Sequence, residues 1–107
     1  MTKIIALFNL RPGVSRETYE QWARDCDLAT VRTLKSVSAF NVYRSTAVLG
    51  SDEAPPYQYF EILDIADMTL LGQEAQSEAM TKIVARFQEL ADNPRLIIVN
   101  DIETSEA

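Results

Sequence analysis

Histidine is absent from this chain of 107 residues, and its absence removes more chemistry than any residue present adds. Zinc, haem and two-histidine iron sites lose their usual ligand. A Ser-His-Asp or Cys-His nucleophile system cannot be assembled from these residues either. There is one cysteine, Cys26, so no internal disulfide forms. Three glycines, Gly13, Gly50 and Gly72, lie too far apart for a phosphate-cradling loop, which leaves nucleotide-dependent chemistry without support. No cofactor and no metal are expected. No apolar run approaches the roughly 20 residues that span a bilayer. The first residues also lack the charged, apolar and small-residue order of a secretory leader. The expectation is a cytoplasmic protein with no membrane partner. Basic residues are outnumbered, 10 against 16 acidic, giving a net charge of -6. Nucleic acid is bound largely by cationic neutralisation of phosphates, so it is not an expected partner.

The chain does contain four strand-like stretches that are apolar on both faces: Lys3–Leu10, Val37–Val48, Tyr57–Ile65 and Leu96–Ile102. A half-exposed antiparallel strand would alternate apolar and polar. Between them run two amphipathic segments. Ser15 is a candidate N-cap, and Tyr19, Trp22, Ala23, Cys26 and Ala29 follow at helical spacing, extending to about Leu34. The stripe makes Cys26 a buried, inert thiol. Asp67 can cap a short helical turn before Gly72. A longer helix carries Ala79, Met80, Ile83, Val84, Phe87 and Leu90 on one face, and Asn93-Pro94 is expected to end it. The order βαββαβ is that of a ferredoxin-like α+β fold, an antiparallel sheet with two helices on one face. Residues 1–104 form the expected single domain, with 105–107 a frayed acidic tail. Two helices cover only one side of the sheet. The expected cover for the other is a second copy of the chain, a homodimer joined through sheet faces.

Leu7-Phe8-Asn9-Leu10-Arg11-Pro12-Gly13-Val14-Ser15 resembles the strand-turn-helix opening of the dimeric α+β barrel superfamily. Phe40-Asn41-Val42-Tyr43-Arg44 is similar to its second strand, and Val99-Asn100-Asp101 to its last. Within the superfamily the chain looks most like the RedY/HapK-like proteins found alongside prodiginine-type pigment pathways. The resemblance implies a ligand cavity between sheet and helices, with chemistry that varies widely among members. Some cyclase-like members place pocket histidines near the start of the first strand and early in the second long helix. Here those places hold Ile4 and the pair Ala79-Met80, whereas the last-strand aspartate is kept as Asp101.

Alternation puts Tyr57, Tyr59, Glu61 and Leu63 on one face of the third strand. The resemblance turns that face towards the cavity. Glu61, in the middle of an apolar strand, is a candidate general acid or base whose pKa burial would raise. The competing reading is a structural network in which Glu61 pairs with Arg44 or a tyrosine hydroxyl. Tyr59 is a candidate donor to a developing oxyanion, and Asp101 a candidate pocket acid. Arg44, Phe40 and Tyr57 are candidate ligand contacts, with Tyr19 and Trp22 as an aromatic wall for a flat, apolar ligand. With these residues, the resemblance implies a cofactor-independent enzyme of secondary metabolism that condenses, cyclises or oxygenates an aromatic, pyrrolic or polyketide-like precursor. The alternative is a non-catalytic carrier that needs the cavity alone. A purely structural dimer would have no cavity.

Overall fold

The computed structural model describes residues 1–103, so the expected tail at 105–107 lies outside the described residues. The chain runs β1 (Thr2–Leu10), α1 (Arg16–Trp22), a π-helical turn (Ala23–Asp27), α2 (Leu28–Val31), β2 (Val37–Arg44), β3 (Tyr59–Ile65), α3 (Met68–Glu74), α4 (Glu78–Leu90) and β4 (Ala91–Asn100). The four strands form one antiparallel sheet in the order β2-β3-β1-β4, the ferredoxin-like arrangement.

Local chemistry sets the boundaries. Gly13 turns the chain after β1 with φ +87°, a conformation that costs glycine little. Ser15 then caps α1, accepting from the Thr18 N–H at 3.1 Å. Asp67 and Ser77 cap α3 and α4 in the same way, accepting from Leu70 and Met80. Gln58 secures the start of β3: its N–H donates to Asn9 Oδ1 at 2.9 Å, and its side-chain oxygen accepts from the Leu10 N–H at 2.6 Å.

Several boundaries differ from the expectation. Strand β2 stops at Arg44 and β3 begins at Tyr59, so the hairpin arms are shorter than Val37–Val48 and Tyr57–Ile65. The first helix ends at Val31 instead of near Leu34. The largest difference is β4, which starts at Ala91 directly after α4, five residues before the expected Leu96. Asn93-Pro94 therefore does not end the helix. It sits in an irregularity of the β1–β4 pairing between Leu7 and Asn9. Asn93 takes φ +46°, which asparagine tolerates better than most residues, and Pro94 needs no ladder donor on an edge strand.

The helices cover one face of the sheet and enclose two apolar clusters. One joins Ala6, Phe8, Tyr19, Ala23, Tyr59, Leu90 and Ala91. The other joins Val31, Val37, Phe40, Ile65, Met80 and Ile83. Among the described residues no helix covers the opposite face. Its cross-strand rows Tyr43–Phe60–Leu7 and Ile62–Ile5–Ile97 are mostly apolar, with Tyr43 and Ile97 each 49% exposed. Lys3 and Asp64 form an ion pair at 2.6 Å at one end of this face.

Candidate functional site

Glu61 lies on the helix-covered face of β3, between Ala6 of β1 and Val42 of β2 in register. It is buried, with Ala6 almost wholly enclosed beside it. Tyr19 reaches down from α1 and its hydroxyl donates to Glu61 Oε2 at 2.8 Å. Burial, followed by the neighbouring Asp27 charge, holds the Glu61 carboxyl well above its ordinary range. Burial also raises the Tyr19 phenol, so it stays a donor at every ordinary pH. Of the two network partners foreseen for Glu61, the tyrosine is the real one.

Asp27 belongs to this group although its sequence neighbourhood points elsewhere. The π turn closes with the Leu28 N–H donating to the Ala23 carbonyl, five residues back. The extra residue per turn rotates the rest of the helix, so Tyr19, Ala23, Asp27 and Val31 share the buried face. Cys26, placed on that face by regular helical spacing, is exposed instead, which corrects the expected buried thiol. The Asp27 carboxyl lies within hydrogen-bonding reach of Glu61, and burial pushes it up to about 6.

A second polar group sits beside the first. Arg44 grips Glu20 with a two-pronged contact, Nε to Oε2 at 2.7 Å and Nη2 to Oε1 at 2.6 Å. Tyr59 donates to the same Glu20 Oε2 at 2.6 Å, and Arg24 reaches Oε1 at 3.2 Å. The Arg44 contact holds the Glu20 carboxyl at about 2, while burial raises Tyr59 to about 12. Arg44 thus pairs with Glu20 and not with Glu61, and Tyr59, although adjacent in the strand, serves Glu20. Between the two groups lies a cavity of about 190 Å³ lined by Tyr19, Tyr59, Ala23, Leu28 and Val42, with Glu20, Arg24 and Arg44 around it.

The remaining candidates separate. Tyr57 precedes β3 and leaves the expected alternation. Its ring packs against Phe60 at 6.3 Å, away from the Glu61 side. Phe40 is core in the second cluster. Trp22 stands 6.2 Å from the Tyr19 ring but lines a different, open groove between the first helix and α4, with Asp25, Cys26, Ala79 and Lys82. Asp101 follows β4 at the far end of the sheet, half exposed, with the N-terminal amine 3.3 Å from Oδ2. It does not join Glu61. Ile4 packs against the second cluster and Met80 lies within it, so these histidine-equivalent places are largely core. Among the described residues, no three histidine, cysteine or acidic side chains converge as a metal site, and no helix is long and apolar enough to cross a membrane.

Comparison with known proteins matches residues 2–102 to the model of the REDY-like protein HapK family. No curated protein matches in sequence. Among solved structures, HapK from Hahella chejuensis is similar at 25% identity and TM-score 0.77, over 100% of this chain and 98% of that one. A hydroxynitrile lyase from Passiflora edulis shares the fold at 10% identity and TM-score 0.79, over 98% and 96%. A dabb family protein with a ferredoxin-like fold from Mesorhizobium loti does so at 13% identity and TM-score 0.72, over 94% and 96%.

Proposed function

The chain belongs to the REDY-like HapK family, and on that premise we propose that it is a cofactor-independent enzyme of secondary metabolism, acting as a homodimer on an aromatic, pyrrolic or polyketide-like precursor. The observation that carries this reading is the Tyr19–Glu61 couple. An ionisable pair is held inside an apolar core, and one member, Tyr19, forms a wall of the cavity. Burying such groups works against stability unless they are well partnered, and perturbed groups beside a cavity are characteristic of proton-transfer sites. Tyr19 meets the ligand, and Glu61 acts behind it as the group that takes or returns the proton.

The cavity, at about 190 Å³, is smaller than the 300–1,000 Å³ or so usual for drug-sized ligands. It fits one ring, or the reactive end of a longer molecule whose remainder passes Arg24 and Arg44 towards solvent. Condensation, cyclisation and oxygenation of a reactive precursor all require an oriented substrate and one moved proton. The family's occurrence beside prodiginine-type pathways favours a pyrrolic precursor. The uncovered apolar sheet face supports the homodimer, since an apolar area of that extent is rarely left in solvent.

Native mass spectrometry of protein purified from its producing cells tests both parts. A dimer carrying an added small mass is expected, and a monomer overturns the assembly. With the ligand identified, Glu61→Gln and Tyr19→Phe should keep binding and lose turnover. If binding and turnover both survive in these variants, the proton-transfer reading is wrong. If the wild type binds without converting the ligand, the protein is a carrier.

A further inference from the structure

The π turn supplies a second buried carboxyl that the Tyr19–Glu61 couple does not require. Asp27 is 3% exposed and Glu61 7%. Their carboxyls lie within hydrogen-bonding reach of each other, and Asp27 Oδ2 receives no hydrogen bond from any group among the described residues. Two ionised carboxylates are acceptors only and cannot bond to one another. A single proton on the pair makes one of them a donor and turns a repulsive contact into a hydrogen bond. We propose that Asp27 and Glu61 form a carboxyl dyad that holds one proton between them and makes it available to the cavity through the Tyr19 hydroxyl.

The surroundings leave few alternatives for neutralising this pair. From α1 the group facing it is Tyr19, and from β3 the nearby titratable group is Tyr59, whose hydroxyl is committed to Glu20. The neighbours of Glu61 in β1 and β2 are Ala6 and Val42, which carry no charge. Both guanidiniums near the cavity, Arg24 and Arg44, are bound to Glu20. Desolvation favours the protonated form of each acid, and the charge of either one disfavours the charge of the other.

The purpose of the dyad, though not its existence, rests on the proposed enzyme function. When a ligand oxygen takes the Tyr19 hydroxyl proton, the dyad proton replaces it on the phenolic oxygen. The dyad is left with two buried charges, which it relieves by taking a proton back from another atom of the same ligand. The ligand class that suits this cycle loses a proton at one atom and gains one at another, as an enolisable carbonyl compound or its imine does. Asp27 touches no ligand. It is a positioning residue that sets the protonation of Glu61.

Carbon-13 NMR of carboxyl-labelled aspartate and glutamate in the ligand-free protein tests the dyad. The Asp27 and Glu61 signals should each show two titration steps, one for its own ionisation and one for its neighbour's. In Asp27→Asn the Glu61 signal should titrate in one step, its midpoint lowered by about one pH unit or more. Independent single-step curves in the wild type, or an unmoved Glu61 midpoint in Asp27→Asn, overturn the proposal. If Asp27→Asn does not fold, the wild-type curves alone decide. Coupled titration in a protein whose cavity binds nothing would leave the dyad standing and refute the function. Turnover by a protein with uncoupled carboxyls would do the reverse.

Discussion

Raising the pH from about 5 to 8 should destabilise this protein, across a range where histidine usually governs such changes and where this chain has none. The cause is the buried pair. Asp27 is raised from an ordinary 3.8 to about 6, and Glu61 is raised as well. A carboxyl whose folded pKa lies above its unfolded value contributes stability that is complete below the unfolded value. That contribution is lost as pH rises through the folded pKa. For Asp27 alone, at 1.36 kcal/mol per pH unit, the whole loss is about 3 kcal/mol, of which about 1.5 kcal/mol falls between pH 5 and 8. Glu20 works in the opposite sense. Its carboxyl is held at about 2, so its contribution is present above 4.5 and falls away only in stronger acid, outside the range of interest. Urea denaturation at a series of pH values and one protein concentration measures the effect directly. The expected fall of about 1.5 kcal/mol corresponds to a drop in Tm on the order of 6–12 °C for a domain of this size. Asp27→Asn should flatten the profile. A wild-type profile that is level or rises with pH would refute the reasoning, as would an Asp27→Asn profile with the wild-type slope.

Tyr19→Phe removes the donor to Glu61 and should cost about 1–3 kcal/mol at neutral pH, read by the same denaturation. Phe8→Ala should cost about 3–5 kcal/mol, because that fully buried ring packs against Tyr19, Tyr59 and Phe87 at 5.4, 5.8 and 4.9 Å. Ile97→Asp, on the uncovered sheet face, should turn the proposed homodimer into a folded monomer, seen as a halved mass by sedimentation together with an unchanged far-ultraviolet spectrum. Cys26 should react with a thiol reagent in the folded protein without waiting for unfolding, since it is exposed.

Much of the fold was legible because it obeys local rules. Ser15 and Asp67 announce their helices by capping chemistry, and the apolar strands announce the four-stranded sheet. Glu61 was legible for the same reason, as one acid in the middle of an apolar strand. What escaped depended on departures from ideal periodicity. One extra residue in the first helix exchanges Cys26 for Asp27 on the inner face, and a 3.6-residue reading cannot register that shift. The spacing of Tyr19, Ala23, Asp27 and Val31 by four was the only trace. Asn93-Pro94 reads as a helix stop by every local rule, yet the pairing of Leu10 with Ala91 shows that the strand had already begun. Glu20 was missed because it sits beside the stripe, and its partner Arg44 comes from a strand 24 residues away.

The π turn also makes the acidic site tolerant of chain length. The third residue after Ala23 faces inward in a regular helix, and the extra residue of the turn lets the fourth, Asp27, take that place. Deleting one residue between Ala23 and Asp27 would restore a regular helix with Asp27 still on the inner face, beside Tyr19 and Glu61. A lineage could thus add or lose a residue here by a three-nucleotide change while the second acid kept its place.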